Sequence, residues 1–303
     1  MSHRLLCGLF GKSRQGYYKQ ISEIEKSALN EQLVVNAVVK IRSKAKTDRW
    51  GVRKLKDKVN EELKCINVNV GRDRLFDILR SNNMLVRKRK RKYFTTDSHH
   101  WLRKYDNLII DKKLTAPNQL WVSDITYVKI NKVEVVYLYL ITDAYSQKIV
   151  GWHVSLDLKA NSAVKALKMA IKDNKHNIQE LIHHSDRGVQ YCSSRYVQIL
   201  TDNQIQISMT NPGSPQENAI AERINGILKE EWLYDLNLPN HEIAQKKIKQ
   251  IIKIYNTYRP HNSLNNKAPE DIHSGRFLRH ETERVIGKTY KYKKRRPKED
   301  VSV

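Results

Sequence analysis

Asp186 and Glu222 lie 36 positions apart, and Lys229 follows Glu222 by seven. Asp186 sits in His184-Ser185-Asp186-Arg187-Gly188-Val189-Gln190-Tyr191, and Glu222 in Asn218-Ala219-Ile220-Ala221-Glu222-Arg223. A third acid, Asp124, lies in Trp121-Val122-Ser123-Asp124-Ile125-Thr126-Tyr127. Three carboxylates from separate segments suit a hard divalent cation, Mg²⁺ or Mn²⁺. A pair of such ions, about 3.5–4 Å apart, can activate an attacking oxygen and stabilise the leaving one in an in-line displacement. The chain carries a net charge of +24. That surplus suits a polyphosphate substrate, so the expected chemistry is phosphoryl transfer on DNA.

The elements that must bring these acids together follow from the pattern. Leu120–Ile130, Val133–Thr142 and Ile149–Ser155 are rich in β-branched and aromatic residues, with short breaks between them, and read as strands. A helix is expected at about 161–173, with Ala163, Leu167, Ala170 and Ile171 on one side. A short strand at Leu181–His184, a helix near 193–202, a strand at Ile205–Met209 and a long helical stretch after Pro215 complete the region. The expected class is α/β, a mixed sheet covered by helices. Residues at strand ends collect on one rim of such a sheet, where Asp124 and Asp186 could meet. On the last helix, positions i and i+7 share a face, so Glu222 and Lys229 lie on one stripe flanked by Asn218 and Asn225. Asp143 rivals Asp124 but reads equally as a turn cap. Glu217, five before Glu222, points to another side of the helix.

Charge divides the chain further. Residues 1–116 hold 28 Lys+Arg against 12 Asp+Glu, residues 117–276 hold 19 against 16, and residues 277–303 hold 9 against 4. A near-neutral core between basic flanks is the layout of a catalytic unit with nucleic-acid-contacting arms. The expected organisation is a helical, helix-turn-helix-like region at 1–86, a basic linker at 87–116, the catalytic core and following helices at 117–276, and a basic tail at 277–303. Within the first region, Val34, Val38, Ile41 and Ala45, then Val52, Leu55, Val59 and Leu63, keep a helical period, and a third short helix fits 71–81. Arg72 and Arg74 open that third helix, where DNA contacts are expected. Arg87, Lys88, Arg89, Lys90, Arg91 and Lys92 form an unbroken basic run, which stays extended unless it meets an anion such as DNA phosphate.

Several classes are excluded. Cys7, Cys65 and Cys192 form no Cys-x-x-Cys pair, so neither a zinc finger nor a disulfide framework is indicated. No apolar run reaches the length of a membrane span. The expected location is cytoplasmic, at the nucleoid.

These blocks resemble the bacterial insertion-sequence transposases with a retroviral-integrase-like core. The match is nearest to the second-frame proteins of elements that also encode a small helix-turn-helix partner. Leu9 to Tyr18, Trp50 to Leu55, Trp121 to Tyr127, His184 to Tyr191, Asn218 to Lys229, and Tyr255 to Leu264 with Ala268-Pro269-Glu270 carry the resemblance. Each block alone would be weak, but the combination is specific. It implies a ribonuclease-H-like mixed five-stranded sheet flanked by helices. It implies Asp124, Asp186 and Glu222 as metal-binding catalytic residues, two Mg²⁺ (or Mn²⁺) ions, and Lys229 near DNA. It also implies donor-strand cleavage and strand transfer in a homo-oligomer on the element's ends, and an upstream partner joined by ribosomal frameshifting. Glu217 departs from the aspartate usual at its position. Two rival readings stand beside it: a DNA-binding regulator without catalysis, or a metal-dependent nuclease of the same fold. Three acids amid phosphates argue against the first, because unscreened carboxylates repel DNA. The extra basic flanks argue against the second.

Overall fold

A computed structural model of the chain describes residues 11, 13–44, 50–86, 100–131, 134–174, 178, 180–278 and 284–285. The contacts divide the chain into two compact units: residues 1–92 with Glu230–Tyr234, and residues 93–229 with 235–303. No described helix is long and apolar enough to cross a membrane.

The first unit is helical. Helix α1 (Arg14–Lys44) is followed by α2 (Val52–Leu63) and α3 (Arg72–Ser81). Val34, Val38, Trp50, Val52, Leu55, Val59, Leu63, Leu75 and Leu79 are buried together, so the periodicity seen in the sequence is the packed face of each helix. Asn67, in the left-handed region at φ 54°, ends the turn after α2, and the Asn60 side chain brackets both the N–H and the C=O of Val70. Helix α1 spans 31 residues and starts well before Val34. Beyond Gly16 nothing in Tyr17–Lys44 breaks a helix, so it runs on past its packed face with its first half exposed.

The second unit holds a five-stranded sheet. Its strands are β1 (Leu120–Ile130), β2 (Glu134–Asp143), β3 (Ile149–Ser155), β4 (Ile182–Ser185) and β5 (Gln206–Met209), in the order β3-β2-β1-β4-β5. The first three pair antiparallel, and β4 and β5 add in parallel. This is the ribonuclease-H-like mixed sheet expected from the sequence, with strand bounds within about a residue of those expected. Residues 113–114 and 284–285 form a separate two-stranded ribbon.

The sheet has two unlike faces. Odd positions of β1 point toward α4 (Ala160–Asn174), α5 (Val189–Cys192) and α6 (Ser194–Asp202), where Trp121, Tyr139, Val150, Leu167, Tyr191 and Tyr196 make one apolar core. Even positions, Leu120 and Val122, meet Ala221 of α7 (Ala219–Leu228) and Leu264 and Ile272 beyond α8 (His241–Thr257). The strand period of two sorts the side chains between the layers. Edge strand β3 is closed by Asn256 of α8, whose amide accepts from the Ile149 N–H and donates to its C=O, both at 2.9 Å. A side chain thus stands in for a neighbouring strand and blunts the edge.

Gly151 fixes how closely α4 approaches β3. A Cβ there would lie 2.4 Å from the Ala166 carbonyl oxygen and 2.8 Å from the Ala170 Cβ. Both are parts of a packed helix that cannot swing aside. Gly151→Ala should therefore destabilise the fold by about 1–3 kcal/mol or more, as overpacking does. Urea unfolding should show a lower midpoint with an unchanged slope, and an unchanged midpoint would refute the close approach.

Candidate active site

The parallel ladder between β1 and β4 pairs Leu120 with Ile182, Trp121 with His183 and Val122 with His184. The offset is constant at 62 (182 − 120 = 62). Carried two residues past the last pair, the offset matches Asp124 with Asp186, whose charge acts on Asp124, and strand parity puts Asp124 on the face that α7 covers. Asp124 lies within β1, whose antiparallel ladder to β2 continues through it, opposite Leu140. Asp186 follows immediately after β4.

Helix α7 is held against that face by two asparagines. Asn218 donates to the Ser123 C=O at 3.0 Å, and Asn225 donates to Asp124 Oδ2 at 2.6 Å. Glu222 lies between them on the same stripe, four residues after one and three before the other. Gripping consecutive residues of β1 from both sides fixes Glu222 near Asp124. The stripe ends at Lys229, whose Nζ lies 4.6 Å from the centre of the Tyr127 ring. That distance is a cation–π contact. The sequence placed Asn218 and Asn225 beside the face but gave neither a role. Their spacing of four, three and four with Glu222 and Lys229 was the signal available.

The carboxylates act on one another. Burial, then the charge of Asp186, then that of Glu222, push Asp124 up to about 7, against the opposing pull of the Asn225 amide and the Ile125 N–H. Asp186 is also raised by burial, and the Gly188 N–H, 3.0 Å from its Oδ1, opposes this. A Cβ at 188 would lie 3.0 Å from that same oxygen and 3.1 Å from Gln190 Oε1, so a larger residue would crowd the carboxylate. Among the described residues, no three His, Cys, Asp or Glu side chains close on one point as a ready-made metal cage. The donor chemistry nonetheless fits a hard divalent cation: all-oxygen, anionic and mutually repelling, with one acid strained toward its neutral form.

The neighbouring titratable groups are scaffold. His183 Nε2 lies 2.7 Å from Ser123 Oγ and 2.9 Å from the Tyr196 hydroxyl, and burial holds it down to about 3. His184 Nδ1 meets Ser208 Oγ at 2.8 Å, and burial lowers it to about 4. Both rings stay neutral at working pH and tie β4 to β1, α6 and β5. Asp143 accepts from the Asn118 N–H, the Ser146 N–H and the Ser146 hydroxyl, at 2.6–2.7 Å, so it caps its turn. Glu217 accepts from Asn107 and from the Asn211 backbone and side chain, so it fastens the loop before α7.

Arg72 pairs with its neighbour Asp73, and Arg74 reaches Glu31 at 3.3 Å and Ser27 at 3.5 Å on α1. Both belong to the helical unit. Arg87, Lys88, Arg89, Lys90, Arg91 and Lys92 lie outside the described residues.

Comparison with known proteins decides the family. The integrase core domain matches residues 115–215, and a second integrase core domain family matches 203–269. The chain is 35% identical over 269 residues to the 31 kDa protein of insertion element IS600 from Shigella sonnei, covering 87% of this chain and 96% of that one. The chain belongs to the insertion-sequence transposases with an integrase core. It is 26% identical to transposase InsF of IS3A from Escherichia coli, over 89% of this chain and 93% of that one. The catalytic core domain of HTLV-2 integrase, solved in complex with magnesium, aligns at 23% identity and a TM-score of 0.42, over 52% of this chain and 97% of that one. The integrase core domain and the transposase relatives make this transposase a polynucleotidyl transferase of the DDE type, and the regulator and simple nuclease readings are not favoured.

The raised acid has a thermodynamic signature. Asp124 starts from 3.8 and rises to about 7 in the fold, so the native state holds a proton that the unfolded chain releases. The stability this gives is present below about pH 4 and is lost as the pH rises to about 7. Asp124→Asn should therefore raise the metal-free melting temperature above pH 7 by a few degrees and flatten its fall between pH 4 and 7. Thermal melts across that range check this. A variant less stable than wild type at pH 8 would contradict the crowded-carboxylate description.

Proposed function

We propose that Asp124, Asp186 and Glu222 hold divalent metal, Mg²⁺ or Mn²⁺ as two ions, and that with it the transposase cleaves the strands at its element's ends and joins them to target DNA. The observation that supports this is that the charges of Asp186 and Glu222 both act on the buried Asp124, with α7 tied to β1 by Asn218 and Asn225 on either side of Glu222. Bound metal would supply an activated attacking oxygen and charge stabilisation at the leaving oxygen of an in-line displacement.

The chain's own residues do the rest. Asn225 holds Asp124 Oδ2 at 2.6 Å and so orients the carboxylate. The Gly188 N–H does the same for Asp186 Oδ1. Lys229, at the far end of the α7 stripe, supplies an ammonium for a DNA phosphate. His183 and His184 keep β4 in register without taking part in proton transfer.

Around this centre, residues 1–86 serve as a helix-turn-helix-like DNA-binding region. Arg72 and Arg74 exchange their intramolecular acidic partners for phosphate or base contacts there. Residues 87–116 form a basic linker carrying Arg87 to Lys92 along phosphates, residues 117–276 the catalytic core, and residues 277–303 a basic tail that adds contacts. The working form is a homo-oligomer on the element's ends at the nucleoid in the cytoplasm. A small upstream helix-turn-helix protein, fused by frameshifting, supplies recognition of those ends.

Labelled DNA carrying the element's own ends tests the reading. Wild type, alone or fused to the upstream protein, should give joined products in Mg²⁺ or Mn²⁺ and none with chelator. Asn225→Ala should lose roughly 10–100-fold, the usual effect of removing a group that orients a metal ligand. Glu222→Gln should lose more than that. Joining that survives Glu222→Gln would remove Glu222 from the metal site.

A further inference from the structure

Trp50 and Trp121 are sealed in the two cores, Trp232 is buried and Trp152 is partly buried. Trp101 is 92% exposed. Its surroundings are firmly anchored. His100 Nε2 bonds the Arg187 C=O at 2.7 Å, Lys104 Nζ donates to the His100 C=O, and Leu102 and Tyr105 pack against the main core. From His100 to Arg103 exposure alternates, Trp101 and Arg103 being the exposed residues, and the Arg103 guanidinium lies 5.1 Å from the centre of the Tyr105 ring.

A single exposed apolar residue is ordinary on a protein surface. Two things set Trp101 apart. Its backbone is pinned on both sides, so the outward ring is built in. And the hydrogen bond that pins it ends on Arg187: one residue beyond each end of that bond lie Trp101 and Asp186.

We propose that Trp101 is a stacking platform for an unstacked nucleobase of the DNA strand at the reaction site, with Arg103 beside it for the adjoining phosphate. This rests on the reading of the site as a DNA strand-joining centre. A planar, uncharged indole face takes any base, and such stacking is tolerant of sequence. Arg103 and Lys104, next in the chain, are cationic, as is Arg187, whose Nε donates to the Thr210 C=O. They favour a polyanion over a protein surface. A base turned out of the duplex loosens the backbone beside it, letting the phosphate approach the carboxylates without the helix in the way.

The test uses the full chain and duplexes of the element's own end. A single 2-aminopurine is placed in turn at each position flanking the cleavage site. Wild type and Trp101→Phe should change the probe's emission at one position, and Trp101→Ala should not. Trp101→Ala should also lower joining about tenfold, the scale of one lost base–aromatic stack. A mismatch that opens that base pair in advance should restore much of the loss. Unchanged melting temperatures exclude misfolding. Emission that responds equally to Trp101→Ala would overturn the proposal. So would an unaltered emission together with a changed sedimentation of the free protein, which would give Trp101 to a protein contact. Glu222→Gln, run alongside, should keep the emission change and lose joining. If it keeps both, the catalytic reading fails while the stacking result stands.

Discussion

The parallel register between β1 and β4 is the constraint on which the site depends. An offset of 62 residues puts Asp124 beside Asp186, and a slip of one residue would turn every side chain of β4 to the other face. The register is held by polar contacts that a slip would break. His183 sits between Ser123 and Tyr196 on one face, and His184 meets Ser208 on the other. Each ring is buried, and a displaced partner would leave an unsatisfied polar group inside the sheet. The neutral histidines thus specify where the charged aspartates fall, two residues further on.

Bringing like charges together opposes folding, and the structure meets that opposition with donors. The Asn225 amide and the Ile125 N–H serve Asp124, and the Gly188 N–H serves Asp186. They offset only part of the burden, since Asp124 still stands near 7. The rest is left for a cation or a proton to relieve. On the proposed reading, bound metal would relieve that remaining burden and let Asp124 carry its charge.

Much of this was legible in the sequence, for identifiable reasons. The three long strands of the core are rich in β-branched and aromatic residues between short polar breaks, so their bounds could be read closely. The helices carry their periodic face in Val52, Leu55, Val59 and Leu63, or in Ala163, Leu167, Ala170 and Ile171. The length of α1 was not legible, because its first half has helix-forming residues but no packed face to give a period. The roles of Glu217 and Asn256 were hidden for another reason. Each has a partner more than a hundred residues away in the chain, Asn107 for one and Ile149 for the other. Sequence spacing carries no record of such partners. Asn225 was half legible: its stripe could be read, but its partner could not.

The two faces of the sheet divide the work. Against α4 the packing is dry and close, set by Gly151 over Ala166 and Ala170, with Trp121, Tyr139, Leu167 and Tyr196 filling the layer. Against α7 apolar packing by Ala221 is joined by two amides, with Asn218 and Asn225 both buried and each donating to β1. A purely apolar α7 face would pack as well but would leave Asp124 without a donor, and a charged one would compete with it. Asparagine is neutral, short and two-sided, so it can hold a helix to a strand beside carboxylates without adding to their charge. The rigid face therefore fixes the strands, and the amide face lets a glutamate and a lysine approach them at a set height. Stability and chemistry are separated by the parity of a single strand, β1, with Trp121 and Ser123 on one side and Val122 and Asp124 on the other.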